Sequence, residues 1–372
     1  MTGKKRIIVS VTNDLYTDQR VHKICQFLHE NNYSVLLVGR KRRNSLDLKP
    51  RDYQTERMRL IFEKGALFYA FFNLRLFFFL LFRKTDVLLS NDLDTLLANY
   101  LVSKIKGKRL VYDTHELFTE VPELTSRPKV RAVWLRIEKW IFPKLKTVYT
   151  VNKSIADIYT NKYNVPVKVV RNISPKWSSD LIKTKQELDL PEDKHIIILQ
   201  GAGINIDRGA EEAVEAMKNI ENALLIFVGD GDIIPQLKTK VANEGLNKKV
   251  KFFDKKPYQE LMQYTFHADI GLTLDKDTNS NYKYSLPNKV FDYIHTNTAI
   301  VASNIFEVSS VVTQHNVGLI LKEVSSEAIS NALNTLIKDD ARLKQLKLNC
   351  SIAAEKENWE NEVAVLKSIY LG

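Results

Sequence analysis

The chain has 372 residues, of which 44% are hydrophobic and 27% are charged, and its formal net charge is +11. This length exceeds what a single core usually supports, so we predict two domains of an ordinary soluble globular protein. The positive charge favours an anionic partner such as nucleic acid, an anionic membrane or a phosphorylated substrate, and a lysine-rich solvated surface is the alternative. The sequence has no zinc-finger spacing and no RNA-recognition motif, which argues against nucleic acid.

The two cysteines and the first residues indicate a reducing compartment. Cys25 and Cys350 lie far apart in the sequence and fit neither a disulfide framework nor a metal-binding spacing. The opening MTGKKR leads into IIVSV without a long apolar stretch or a small-residue cleavage site, so it does not read as a signal peptide. We therefore expect a cytoplasmic protein.

Short apolar runs alternate with longer helical patterns along most of the chain, which is typical of right-handed βαβ units and parallel sheets. The predicted strands, in chain order, are RIIVSV, SVLLVG, DVLLS, RLVYD, TVYTV, HIIILQG, ALLIFVG, VKFF, IGLTL and AIVAS. The pattern predicts an α/β protein of two tandem Rossmann-like, doubly wound domains with an interdomain cleft, over residues 1–172 and 173–355. In such domains ligands bind beyond the carboxyl ends of the strands.

Residues 66–82, ALFYAFFNLRLFFFLLF, form the most apolar window of the sequence. A membrane-spanning helix needs about 20 apolar residues, and this window is shorter and contains Asn73 and Arg75, so we reject a span. Two interpretations stay open: a helix that covers a sheet, or a helix in the membrane interface with basic flanking residues. A single helix can cover a sheet with one side and contact the membrane interface with the other. We therefore predict a peripheral membrane contact, at the inner face of the membrane, as one alternative.

In the first half, RLVYDTHELF ends a predicted strand with Asp113, His115 and Glu116. A histidine at the carboxyl end of a strand can donate to a substrate hydroxyl or exchange protons, and a hydrogen-bonded structural histidine is the alternative. Its spacing matches no metal-binding helix motif. The acidic triplets at 92–94 and 275–277 suggest a metal-diphosphate site only weakly, because such triplets are common in a charged chain.

In the second half, GAGINI at 201–206 and VGDGD at 228–232 each follow a strand and precede a helical segment. The first lacks the third glycine of a dehydrogenase fingerprint, and either could be a plain tight turn. Between them, Arg208 precedes an amphipathic helix, where an arginine can bind a diphosphate through two hydrogen bonds.

The segment LPNKVFDYI, 286–294, combines a proline with a lysine and an aspartate at helical spacing. Pro287 is predicted in the first helical turn, where its missing N–H is not needed and the free amides favour an anion. Lys289 and Asp292 are three residues apart and share a helix face, which suits a phosphate and a ribose. An ion pair on a solvated face is the alternative.

Together and in this order, these elements resemble the retaining family-4 glycosyltransferases with the GT-B fold, and among them the bacterial branch that builds surface polysaccharides. The resemblance spans nearly the whole chain and is carried by YTDQRVHKICQFLHENNYSVLLVG, NDLDTLLA, VYDTHELF, VYTVNKSIADIY, GAGINIDRGAEEAVEAM, LIFVGDGD and LPNKVFDYIHTNTAIVAS. It implies that the second domain binds a nucleotide-sugar donor and the first presents the acceptor. It also implies that the last segment, 356–372, is a helix that crosses back onto the first domain.

The resemblance also implies roles for individual residues. Arg208 and Lys289 correspond to the cations on the donor diphosphate, and His115 to the histidine that contacts the donor sugar. The predicted nucleotide-binding residues are Gly201, Gly229, Gly231 and Asp292, the last of these on the ribose. No metal and no cofactor are required.

The sequence departs from the family at two places. Many relatives have two glutamates separated by seven residues, and Tyr284 stands at the first of these positions. The donor sugar therefore cannot be named. The first loop lacks the paired glycines of many relatives, and this leaves Asp18 and Arg20 as candidates for the acceptor side.

The predicted function is transfer of a sugar from a nucleoside-diphosphate sugar to a hydroxyl of a glycan or lipid-linked acceptor, with retained anomeric configuration. Two alternatives stay open. One is a nucleotide-sugar epimerase on the same fold, and the other is a non-catalytic basic binding module.

Overall fold

The structure, a computed structural model, describes residues 4–16, 18–179 and 181–372. The chain divides into two compact units: unit 1 comprises Met1–Arg171 and Val365–Gly372, and unit 2 comprises Asn172–Ala364. The predicted division at residues 172 and 173 falls one residue later than the division between these units. Each unit is built around one parallel β-sheet.

Among the described residues, unit 1 has a seven-stranded sheet with the order β3-β2-β1-β4-β5-β6-β7. Its strands are β1 Lys5–Ser10, β2 Tyr33–Lys41, β3 Gln54–Arg59, β4 Val87–Asn91, β5 Arg109–Thr114, β6 Val148–Thr150 and β7 Val167–Val169. All neighbouring strands are parallel. Every residue of the central β4 is buried, as expected where helices cover both faces of a parallel sheet.

Unit 2 has a six-stranded sheet over its described residues, with the order β10-β9-β8-β11-β12-β13. Its strands are β8 His195–Gly201, β9 Ala223–Gly229, β10 Val250–Phe253, β11 Ile270–Thr273, β12 Ala299–Ser303 and β13 Gly318–Leu321. These strands are also parallel. Two apolar clusters, each containing alternate residues of β8, form the core of this unit.

Helices connect the strands in both units. The α-helices are α1 Gln19–Glu30, α2 Gly65–Phe82, α3 Leu93–Lys106, α4 Pro122–Thr125, α5 Pro128–Ile141, α6 Lys153–Tyr163, α7 Ala210–Ala216, α8 Ile234–Asn243, α9 Tyr258–Phe266, α10 Ser280–Lys283, α11 Lys289–His295, α12 Phe306–His315, α13 Ser326–Lys338, α14 Asp340–Ala354 and α15 Trp359–Tyr370. Short 3-10 turns lie at Phe118–Glu120, Phe142–Lys144, Gln186–Leu188 and Met217–Asn219.

The predicted fold class is confirmed, and each of the ten predicted strands is present. Three strands were not predicted: β3, β7 and β13. Each lies at an edge of its sheet. The polar sequence QTERMR of β3 is tolerated because an edge strand contacts one neighbouring strand instead of two, while β7 and β13 are only three and four residues long. The fourth edge strand, β10, was predicted from VKFF.

The apolar 66–82 segment is helix α2, which covers one face of the unit 1 sheet. Its buried side chains are Phe68, Phe72, Leu76 and Leu80. Its opposite side exposes Leu67, Leu74, Phe78 and Phe82. By length and composition, α2 is the one helix within the described residues that could cross a membrane. The sheet-covering interpretation is therefore confirmed, and the membrane contact stays a prediction.

The last residues of α15 belong to unit 1, where Tyr370 fills its core. Tyr370 is 1% exposed. The Tyr33 hydroxyl donates to the Tyr370 carbonyl oxygen at 2.7 Å, and the Tyr149 and Tyr370 hydroxyls lie 3.2 Å apart. The Arg109 guanidinium donates to the carbonyl oxygen of Ile369. Residues 365–372 thus complete a core that residues 1–171 begin.

Candidate active site

Two glycine turns of unit 2 are joined by backbone contacts at the carboxyl ends of β8 and β9. The Asp230 amide donates to the Gly201 carbonyl oxygen, and the Ile204 amide donates to the Asp230 carbonyl oxygen, each at 3.0 Å. A Cβ atom on Gly229 would lie 1.8 Å from the Gly201 oxygen, and one on Gly231 would lie 2.0 Å from the Ile204 oxygen. Glycine is therefore required at both positions so that the two turns can pack together.

Gly201 differs from these two glycines. Its φ is 149°, but a Cβ atom there would come no closer than 3.9 Å to any neighbouring atom. Its surroundings are open, so close packing does not require glycine at this position. The contacts explain Gly229 and Gly231 without a ligand, and the nucleotide-binding role of all three glycines stays a prediction.

Arg208 lies in the loop after β8 and pairs with a buried carboxylate. Its Nη1 donates to Asp275 Oδ1 at 3.0 Å, and Asp275 is 1% exposed. The guanidinium carbon lies 4.6 Å from the centre of the Tyr282 ring. Burial alone would lower the pKa of Arg208, but Asp275 and Tyr282 together raise it, so Arg208 stays charged.

The structure brings Lys289 to the same carboxylate. Burial lowers the pKa of Lys289, Asp275 opposes this effect, and Arg208 adds to it. The Lys289 amine makes no hydrogen bond or ion pair with another described residue. Asp275 therefore pairs directly with Arg208 and attracts Lys289 without a direct contact, so one carboxylate acts on two cations. Arg208 Nε and Asp275 Oδ2 are buried and have no hydrogen-bond partner among the described residues, so the cluster is not fully satisfied by the protein.

Asp292 lies on α11 in the interior and is 5% exposed. Gln200 Nε2 donates to its Oδ2 at 3.0 Å, and the Tyr258 hydroxyl donates to its Oδ1 at 2.9 Å. Gln200 is the last residue of β8 before Gly201, so this network joins α11 to the glycine turn. The role of Asp292 toward a ribose stays a prediction.

The predicted start of the 286–294 helix was wrong. Helix α11 begins at Lys289 with Asn288 at the N-cap, so Pro287 precedes the cap and does not lie in the first turn. Its carbonyl oxygen accepts a hydrogen bond from the Val290 amide at 3.1 Å. The proline therefore fixes the backbone dihedral φ just before the helix, and its carbonyl oxygen accepts the first backbone hydrogen bond.

In unit 1, His115 follows β5 and lies between two aspartates. Its Nδ1 is 3.1 Å from Asp92 Oδ2, and its Nε2 is 3.2 Å from Asp113 Oδ2. Its backbone amide donates to Asp92 Oδ1 at 2.8 Å. A neutral imidazole can donate from one nitrogen only. The arrangement therefore fits an imidazolium with both N–H groups engaged.

A buried arginine completes this cluster. Arg20 is 4% exposed, and its Nη2 and Nε donate to the Asp113 carboxylate at 2.8 and 3.0 Å. Burial would raise the pKa of Asp113, but Arg20 and His115 hold it below the ordinary value. Burial would lower the pKa of His115, but Asp92 and Asp113 raise it well above the ordinary value. His115 thus serves as a cation rather than as a free base.

The two residues proposed for the acceptor side are both engaged within unit 1. Asp18 caps α1, where its Oδ1 accepts from the Val21 amide at 3.0 Å, and its Oδ2 accepts from Asn13 Nδ2 at 2.6 Å. Arg20 is committed to Asp113, as described above. These contacts give both residues a structural role.

Two further carboxyl groups with raised pKa values, those of Asp94 and Glu116, lie near His115. Thr12 Oγ1 donates to Asp94 Oδ2 at 2.6 Å. Burial raises the pKa of Asp94 to about 7, and the negative charge of Asp92 adds to the shift. Burial and Asp92 also raise the pKa of Glu116 to about 7. Near neutral pH both carboxyl groups are therefore partly protonated.

Asp94 is expected to make stability depend on pH. Its ordinary pKa is 3.8 and its folded pKa is about 7, so between these values the folded state holds more protons than the unfolded state. The free energy of unfolding should therefore fall as the pH rises from about 4 to about 7. Urea unfolding at several pH values should show a weaker pH dependence of the free energy of unfolding in Asp94→Asn. The control Asp157→Asn, which removes one side of an exposed ion pair, should keep the pH dependence of the parent. An unchanged slope in the Asp94 variant would contradict the assignment.

Sequence reasoning missed several residues of these clusters. Asp275 belongs to a triplet that we discounted as a metal site, and Asp92 belongs to another. Gln200 and Tyr282 carried no motif. The available signal was position: Asp275 follows β11 closely, and β11 lies beside β8 in the sheet. The described residues contain no group of three or more His, Cys, Asp or Glu side chains arranged for a metal ion.

The comparisons with known proteins agree with this fold. The family described as "Glycosyltransferase Family 4" matches residues 18–173, and the family described as "Glycosyl transferases group 1" matches residues 182–356. No curated protein gives a significant match.

Solved glycosyltransferase structures are similar over the whole chain. Sucrose-phosphate synthase from Thermosynechococcus elongatus has a TM-score of 0.79 at 17% identity, covering 99% of this chain and 98% of its own. A glycosyltransferase from Rickettsia africae has a TM-score of 0.78 at 13% identity, with coverage of 99% and 98%. HepE of Anabaena, in complex with UDP, has a TM-score of 0.72 at 15% identity, with coverage of 98% and 100%.

Two parallel-sheet α/β units in this arrangement along the chain define the GT-B class of fold. With a glycosyltransferase family matching each half, the chain is a GT-B glycosyltransferase. The comparisons favour neither the epimerase nor the binding module.

Proposed function

We propose that this enzyme transfers a sugar from a nucleoside-diphosphate sugar to a hydroxyl of a glycan or lipid-linked acceptor, with retention of anomeric configuration. The observation that carries the proposal is the cluster of Arg208 and Lys289 around Asp275. One carboxylate neutralises one of two cations, so the remaining positive charge and the buried, unpaired Arg208 Nε suit a diphosphate.

The mechanism follows from where charge develops. As the bond to the sugar breaks, negative charge builds on the leaving diphosphate. Arg208 is held in place by its pair with Asp275, and Lys289 lies buried at the start of α11, so both stabilise this charge with little reorganisation. We propose attack on the same face of the sugar, assisted by the leaving phosphate and without a metal ion, as the resemblance to retaining family-4 enzymes implies.

His115 is proposed to contact the donor sugar, as the family resemblance implies. Its two N–H groups already bind Asp92 and Asp113, so its contribution is a fixed positive charge and shape rather than proton abstraction. Gly201, Gly229 and Gly231 are proposed to border the nucleotide, and Asp292 to bind the ribose. Gln200 and Tyr258 would hold the Asp292 carboxylate in place for that role.

The neighbours suggest which donor to test first. HepE was solved with UDP and with UDP-glucose, and the similar WaaG is described as a glycosyltransferase of lipopolysaccharide biosynthesis. We propose a UDP-sugar donor and a role in bacterial surface polysaccharide synthesis. The exposed apolar side of α2 supports a cytoplasmic enzyme at the inner face of the membrane.

Product analysis tests the proposal. UDP- and GDP-sugars would be screened by saturation-transfer NMR, and the bound donor would be incubated with candidate acceptors. We expect a glycoside whose anomeric coupling constant matches that of the donor. An inverted product would overturn retention. An isomerised donor without acceptor, or oligonucleotide binding without donor binding, would overturn the transferase function.

A further inference from the structure

Unit 1 contains an apolar groove that the residues discussed so far do not explain. It has a volume of about 730 Å³ and lies between α2, α3 and α5, within the size range of small-molecule sites. We call it the α2–α5 groove. Its lining includes Tyr69 and Leu74 of α2, Leu101 of α3, and Val133 and Trp134 of α5.

The lining favours a hydrocarbon chain over a sugar or a peptide backbone. Most side chains in the groove are apolar. The Nδ2 of Asn73, one of the few polar groups, already donates to the carbonyl oxygens of Tyr69 and Asp94, which leaves its buried Oδ1 as an acceptor without a partner among the described residues. A polar ligand would lose its hydrogen bonds to water and gain few in return. Leu74 and Val133 on the rim are each 53% exposed, so apolar surface there is left uncovered.

Asn73, which lines the groove, is hydrogen-bonded to Asp94, a member of the carboxylate cluster beside His115. Asn73 Nδ2 donates to the Asp94 carbonyl oxygen at 2.8 Å, and the Asp94 carboxylate accepts from Thr12 at 2.6 Å. These residues follow the carboxyl ends of β1 and β4. The groove therefore leads from the side of unit 1 where we place the acceptor, along the helices, into an apolar environment.

Positive charge borders the groove. Lys129 is part of its lining, and Arg127 lies just before α5. Neither side chain makes a hydrogen bond or ion pair with another described residue. An exposed cation in the lining, with a second exposed cation two residues before it, is complementary to an amphiphile with an anionic head. If the groove instead bound an apolar helix of another protein, these cations would have no binding partner.

We propose that the α2–α5 groove binds the hydrocarbon chain of a lipid-linked acceptor whose head carries a phosphate. This inference rests on the proposed function, because it names the acceptor class of that reaction. In this arrangement the hydrocarbon chain of the acceptor lies among α2, α3 and α5. Lys129 and Arg127 bind its phosphate, and its sugar-accepting end faces the cluster of Asp94 and His115.

The test uses decyl phosphate below its micellar concentration, titrated into the full-length protein by calorimetry. We expect binding that Val133→Asp, which charges the groove, and Ala70→Trp, which fills it, each weaken by at least about tenfold. Leu348→Asp and Ala341→Trp place the same changes on α14 of unit 2 and should bind as the parent does. No binding by the parent, or unchanged binding in both groove variants, overturns the proposal.

Further arms separate the possible occupants. Decanol should bind more weakly than decyl phosphate, and the double variant Arg127→Ala/Lys129→Ala should remove that difference. The Val133→Asp variant should bind phosphatidylglycerol vesicles as the parent does. An equal loss on vesicles would mean that the groove holds bilayer lipid, and a loss of self-association would mean that it holds a second copy. Either result overturns the acceptor assignment.

Decyl phosphate binding does not depend on turnover. Failure of nucleotide-sugar transfer with intact groove binding would therefore count against the proposed function. Loss of groove binding with intact transfer to a water-soluble acceptor would count against this inference alone.

Discussion

Arg208→Ala is expected to lower kcat by about 100- to 1000-fold, because removing one preorganised donor to developing negative charge costs on the order of 2.7–4 kcal/mol. Lys289→Ala should have an effect of the same order, since both cations serve the same diphosphate. Single-turnover kinetics with the identified donor would measure the loss at the chemical step. Arg208→Lys should recover little, because an ammonium group cannot present two parallel donors.

Two controls keep this result interpretable. Arg342→Ala and Lys338→Ala remove exposed cations from unit 2 and should leave kcat within about twofold of the parent. Removal of Arg208 also leaves Asp275 with less compensation, so urea unfolding must show that the variant is folded under assay conditions. Near-normal turnover in both the Arg208 and the Lys289 variants would refute the catalytic assignment.

Arg20→Met is expected to destabilise unit 1 by on the order of 3–5 kcal/mol, because it leaves the fully buried Asp113 carboxylate without its main partner. The remaining partner, His115, is shared with Asp92. Chemical denaturation monitored by circular dichroism would measure the change in the free energy of unfolding.

The matched control is Arg6→Met, which breaks the exposed pair with Asp86 and should barely move the denaturation midpoint. The double variant Arg20→Met/Asp113→Asn should recover part of the loss, since it also removes the uncompensated charge. If Arg20→Met and Arg6→Met behaved alike, the buried cluster would not be a determinant of stability.

Sequence patterns predicted every interior strand of both sheets but only one of the four edge strands, β10. RIIVSV and HIIILQG are recognisable because strands buried on both faces must be apolar throughout. In contrast, β3 has the sequence QTERMR, in which five of six side chains are polar or charged, and it is held by pairing with β2. Backbone pairing at an edge leaves little trace in composition, so such strands need tertiary information.

The candidate site was predictable where position and the family resemblance agreed. Arg208 and Lys289, each beside a predicted helix start, were singled out in this way, and in the structure Asp275 pairs with the first and attracts the second. Asp275 was not, because an aspartate in a charged triplet has many explanations until β11 is placed beside β8. Gln200 is an ordinary strand residue by sequence. Its importance comes from a contact with Asp292, 92 positions later.

The participation of residues 365–372 in unit 1 has a consequence for biosynthesis. The ribosome makes these residues only after all of unit 2, so nascent unit 1 must wait for Tyr370 while Asn172–Ala364 are translated, on the order of ten seconds or more at typical rates. During that interval Tyr33 and Tyr149 lack the partner that buries them in the native fold. Co-translational folding of unit 1 is therefore incomplete until residues 365–372 have been translated. Limited proteolysis of nascent chains should cleave the amino-terminal half faster than the second unit.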